Sequence, residues 1–168
     1  GISVWQQYLD GRNPAQIGKM LKDHGLKVPA LVRGGFFPST DASKRISAIE
    51  ENKKMIETAA ALGAEMLVLV CGADPGQTLE TSRSQIREGI GHLINQASAL
   101  GVKLAIEPLH PMYADTRSAI NTLEQANDMA EAIQSEWVGV AIDVYHLWWD
   151  PHLEKEIARC GKNKHIFA

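Results

Sequence analysis

The 168-residue chain is 45% hydrophobic and 22% charged, a balance that suits one globular domain with a real core and leaves little room for two. Its net charge of −3, with the basic residues dispersed, argues against a nucleic-acid surface, which needs a clustered excess of Lys and Arg. Two cysteines, Cys71 and Cys160, are too few for a disulfide framework, no apolar stretch approaches the roughly 18 residues that would span a bilayer, and no signal-peptide pattern follows Gly1, so a reducing, cytoplasmic setting without a membrane partner is expected.

Gly1–Val4 reads as the end of a strand. Pro14 suits the first turn of a helix with Ile17, Met20 and Leu21 on one face, stopping at Gly25. An apolar strand over 27–33 ends at Arg33-Gly34-Gly35. A long helix follows, capped by Thr40 or Asp41, with Ile46, Ile49, Ile56 and Ala60 at helical spacing and a stop at Gly63. Residues 65–71 form a nearly uninterrupted apolar run, as a strand buried on both faces requires. One helix carrying Ile86, Ile90, Leu93, Ile94 and Ala97 ends at Gly101, and the next strand ends on Glu107. Thr116 is placed as the cap of a helix with Ile120, Leu123, Met129 and Ala130 inward, and that helix leads to a strand ending on Asp143. Pro151 begins a last short helix, and residues 165–168 look like the start of another strand.

The helix stops Gly25, Gly63 and Gly101 fall at equal steps of 38 residues, and the strand-end residues Arg33, Cys71, Glu107 and Asp143 follow nearly the same period. Alternating strands and helices give an α/β fold with a parallel sheet and right-handed crossovers. No GxGxxG or GxxxxGK[ST] follows any strand, and similar helices after every strand favour a (β/α)8 barrel of the TIM type over a nucleotide-binding open sheet. A full barrel needs about 250 residues. Residues 1–168 therefore read as a single domain that is a portion of a barrel, or else an unusual open form of the fold.

Barrel chemistry sits at the carboxyl ends of the strands. Glu107 and Asp143 end consecutive strands, which lie about 4.8 Å apart, so their carboxylates are placed to share one divalent cation, with His146 on the same loop as Asp143. That donor set suits Mn, Co, Zn or Mg. The plainer reading of each carboxylate is a helix cap or loop acceptor. Arg33 reads equally as a substrate anchor or a strand-end ion pair. His110 is a candidate donor to a substrate hydroxyl, and Trp5, Trp148 and Trp149 are either sugar-stacking faces or lids over the core. Cys71 reads as a small buried hydrophobe, and His165 as structural.

Glu107-Pro108-Leu109-His110-Pro111, joined to Asp143-Val144-Tyr145-His146-Leu147-Trp148-Trp149-Asp150-Pro151, resembles the xylose isomerase-like TIM-barrel superfamily, in particular its sugar phosphate isomerase/epimerase and inosose-processing branch. Arg33-Gly34-Gly35 and Ala61-Leu62-Gly63-Ala64 extend the resemblance over essentially the whole chain. It implies that about strands two to seven are present and that strands one and eight are missing. It also implies one divalent metal held by Glu107 and Asp143, with two further ligands beyond Ala168. His146 then matches a histidine beside the metal that touches substrate. Tyr113 stands where the family's sugar epimerases carry a second Glu, which departs from a strict ketose 3-epimerase.

The implied activity is isomerisation or epimerisation of a sugar, sugar phosphate or inosose-like polyhydroxy carbonyl compound. A proton moves through a metal-stabilised enediolate, with Glu107 and His146 as catalytic residues and Arg33, His110 and Trp148 binding substrate. Homo-oligomerisation is left open. Two rivals stand beside this reading. One is a zinc phosphodiesterase like the apurinic endonucleases, although Arg33 and Cys71 stand where that branch has histidines. The other is a catalytically inert barrel fragment, and no turnover is expected from residues 1–168 alone.

Overall fold

A computed structural model describes residues 1–168. Five parallel strands form one sheet in chain order: β1 Val4–Trp5, β2 Ala30–Gly35, β3 Met66–Val70, β4 Lys103–Ile106 and β5 Val138–Val140. Each step between neighbours requires a crossover. These are supplied by α1 Pro14–Asp23, α2 Ala42–Leu62, the pair α3 Leu79–Gly91 and α4 Ile94–Leu100, and α5 Leu123–Ile133. A one-turn helix α6 Val144–Leu147 and then α7 Leu153–Lys162 follow β5, and a parallel bridge joins Ile166 to Val140.

Local chemistry sets most of the boundaries. Gly63 and Gly101 close α2 and α4 in the left-handed conformation, at φ 77° and 69°, where a side chain on Cβ would be strained. At the other ends, Asn13, Asp41 and Thr78 accept backbone N–H groups of α1, α2 and α3 through their side chains. Three expectations fail. Thr122, not Thr116, caps α5 by accepting the Gln125 N–H at 3.1 Å, because residues 114–121 are held in a separate loop by the Gly72–Ser118 bridge and by Asn121 bonding to the Leu109 and Ser118 carbonyls. The helix expected through Ile86 and Ala97 breaks after Gly91 into α3 and α4. Ile46 and Met20, placed with the apolar residues of their helices, are 64% and 48% exposed.

The period of two along each strand sorts residues to the two faces of the sheet. Leu31, Leu67, Leu69, Leu104, Ile106, Val138 and Val140 join the helices in a cluster of 28 buried residues. Ala30, Met66, Val68, Ala105 and Ala141 form a smaller cluster on the opposite face. Every residue of β3 is buried, in line with its unbroken apolar run. Between β2 and β3 the register passes from Val32↔Val68 to Gly34↔Leu69, leaving Arg33 as an extra residue on its strand. Such a bulge re-aims a side chain at a strand end. No helix is long and apolar enough to cross a membrane.

Candidate active site

Glu107 follows β4 directly, and its N–H donates to the Leu69 carbonyl at 3.1 Å; Ala141 N–H donates to the Ile106 carbonyl at 2.9 Å. This register carries Glu107 and Asp143 to the same end of neighbouring strands. The two carboxylates act on each other. Burial first, and then the charge of Asp143, push the Glu107 carboxyl up from its ordinary 4.5 to about 7, against an opposing pull from Arg33. Asp143 also fills the plainer role expected of it. Its Oδ1 accepts the Tyr145 N–H at 2.8 Å and caps α6, and its second oxygen remains outside that bond.

His146 is half-buried, with the rings of Tyr113 and Tyr145 edge-on at 5.8 and 5.1 Å. Burial holds its pKa below the ordinary histidine value, opposed by Asp143 and assisted by His110 and Arg117. Its Nδ1 is buried with no hydrogen-bond partner. His110 Nδ1 accepts the Met112 N–H at 3.2 Å, so the neutral ring carries its proton on Nε2, a free donor. Trp148 stacks on the His110 ring at 6.4 Å with 72% of its surface exposed, and Trp149 meets the same ring edge-on at 5.8 Å.

Arg33 lies near enough to draw on Glu107 yet takes part in none of the six salt bridges of the chain. The strand-end ion pair weighed for it does not form. Trp5 packs against Arg33, and Cys71 is fully buried, its thiol pushed up by burial and by Glu107. Arg117, whose guanidinium lies 5.0 Å above the Tyr113 ring, and Tyr145 escaped the sequence reading. Arg117 sits in a turn and Tyr145 in the one-turn helix α6, segments too short or irregular for any periodicity to mark a residue.

Two electrostatically coupled carboxylates at neighbouring strand ends are hard oxygen donors of the kind a divalent cation takes. They do not make a full shell, since no group of three His, Cys, Asp or Glu side chains in the chain is placed to hold a metal ion.

Known proteins share this architecture. The family described as xylose isomerase-like TIM barrel matches residues 4–168. The inosose isomerase of Bacillus velezensis is 30% identical over 142 residues, 83% of this chain and 49% of that protein. The chain spans about half the length of the curated relatives it matches. Protein SMc04130 of Sinorhizobium meliloti 1021 superposes with a TM-score of 0.92 and 47% identity, over 98% of this chain and 60% of that one. The IOLI protein, solved with a bound zinc atom, superposes with a TM-score of 0.82 at 24% identity, over 99% and 60% respectively. With its parallel sheet in sequential order and its carboxylates at the strand ends, the chain belongs to the xylose isomerase-like TIM-barrel family.

Proposed function

We propose that residues 1–168 form strands two to seven of a (β/α)8 barrel and carry part of the active site of an isomerase or epimerase acting on an inosose or a related sugar. The observation that supports it most is the Glu107–Asp143 pair: two carboxylates on adjacent strands, one pushed up to about 7, at the end of the sheet where barrel enzymes build their sites. The likeness to inosose isomerases points to the substrate class.

Glu107 and Asp143 would hold a divalent metal, which when bound supplies Lewis-acid polarisation of a substrate carbonyl. Glu107 takes the proton from the carbon beside that carbonyl and returns it. His110 donates from Nε2 to a substrate hydroxyl, Arg33 and His146 contact substrate oxygens, and the open face of Trp148 covers the apolar side of the ring. The buried Cys71 and the carbohydrate-acting relatives favour this reading over a zinc phosphodiesterase.

The test is exchange of the hydrogen next to the carbonyl of an inosose in deuterated water with Mn2+, followed by NMR, using a longer chain that continues past Ala168. Exchange lost on Glu107→Gln and on removal of metal supports the reading; exchange indifferent to both contradicts it. Residues 1–168 alone are expected to show no turnover.

A further inference from the structure

Arg33 is held without being neutralised. Its guanidinium carbon lies 5.5 Å from the centre of the Trp5 ring and 5.4 Å from that of Phe36, with no carboxylate paired to it. An ion pair would fix the side chain equally well but would consume its charge. Two aromatic faces restrain the group and leave its charge available.

The chain goes to some length to place Phe36. Its φ is +58°, a left-handed conformation that is strained for a bulky residue, yet the residue is 43% exposed and so recovers only part of that cost by burial. The turn depends on two glycines. A Cβ on Gly35, itself at φ +105°, would lie 2.0 Å from the Val70 carbonyl oxygen, and one on Gly72 would lie 2.7 Å from the Phe36 backbone. Phe36 N–H then donates to the Val70 carbonyl at 2.9 Å. On the other side, the β1–β2 register sets Trp5 opposite Val32, immediately before the bulged Arg33. Trp5 is also 43% exposed. Two half-exposed rings, one held at a cost in strain, are poorly explained by the core.

We propose that Trp5 and Phe36 are positioning residues that clamp the Arg33 guanidinium beside Glu107, presenting an uncompensated cation to an oxygen of the substrate. The clamp deepens the isomerase reading and rests on it only for the identity of that oxygen. The restraint itself is tested without any substrate. In the 15N-labelled chain, with the Arg33 Nε–Hε signal assigned by its loss in Arg33→Lys, rotation of the guanidinium is slow in the wild type and becomes fast in Trp5→Leu and Phe36→Leu. Phe36→Tyr and Trp5→Phe keep a ring face, spare the fold and keep rotation slow. Unchanged Arg33 rotation in both leucine variants, or fast rotation in the wild type, overturns the clamp. In the longer chain, Phe36→Leu lowers kcat/KM on an inosose by about tenfold and has no further effect in an Arg33→Lys background. An undiminished loss there contradicts positioning through Arg33. Absence of turnover in the wild type counts against the isomerase reading alone, since the rotation measurement still decides the clamp.

Discussion

Two groups of carboxylates in this molecule are treated in opposite ways. Between α5 and α7, Arg159 bonds Glu131 at 2.7 and 2.8 Å, Asp128 at 2.7 Å and Glu156 at 3.2 Å. Burial alone would raise Glu156, which is 1% exposed, but hydrogen bonds from Asn127, Arg159 and Lys155 outweigh it and hold the carboxyl below its ordinary value. At the carboxyl end of the sheet, burial and Asp143 push Glu107 up to about 7, with only Arg33 pulling the other way. The first group is complete as it stands. The second is two like charges without a shared counter-charge, an arrangement that stability does not favour and that the proposed cation would offset.

The contrast predicts opposite pH slopes. Glu131 and Glu156 have lowered pKa values, so their contribution is present at neutral pH and is lost as acid protonates them. Glu107 has a raised value. The unfolded chain loses its proton near 4.5 while the folded chain keeps it to about 7, so the metal-free protein loses stability as pH rises through that window.

The largest expected effect comes from breaking the satisfied group. Arg159→Met leaves the buried Glu156 short of a partner and should cost about 3 kcal/mol at pH 7, read by urea unfolding. Next is relief of the crowded pair. Glu107→Gln should stabilise the metal-free chain by on the order of 2 kcal/mol at pH 8 and by nothing at pH 4, seen as a pH-dependent rise in Tm. Asp143→Asn keeps an acceptor for the Tyr145 N–H and removes only the charge, so it should stabilise by about 1 kcal/mol at pH 8 and lower the Glu107 pKa in a carboxyl NMR titration. The smallest change belongs to Asp128→Ala, which removes a bridge whose carboxylate side chain is 62% exposed and should cost under about 1 kcal/mol in the same urea assay. A destabilising Glu107→Gln at pH 8 would erase the distinction between the two groups.

The sequence carried the parts of this picture that depend on neighbours in the chain. Gly63 and Gly101 mark helix ends because only the local backbone decides a left-handed stop, and β3 is legible because a doubly buried strand needs no polar residues. Glu107 and Asp143 stood out for a related reason, each closing an apolar run. What escaped depends on distant partners. The cap at Thr122 follows from a loop tied to Gly72, the Arg159 group joins helices far apart in sequence, and the Phe36 turn needs a glycine just beyond the end of the next strand. Neither periodicity nor propensity reports such pairings.

The central claim is that Glu107 and Asp143 await a cation whereas the Arg159 group does not. Paramagnetic broadening of amide signals by Mn2+ at pH 7.5 tests it directly, because it detects weak sites and locates them. The account predicts that Glu107, Asp143 and Tyr145 broaden first, that Asp143→Asn abolishes the effect, and that α5 and α7 stay sharp. Selective broadening around Asp128 and Glu131, or broadening that survives Asp143→Asn, would contradict it.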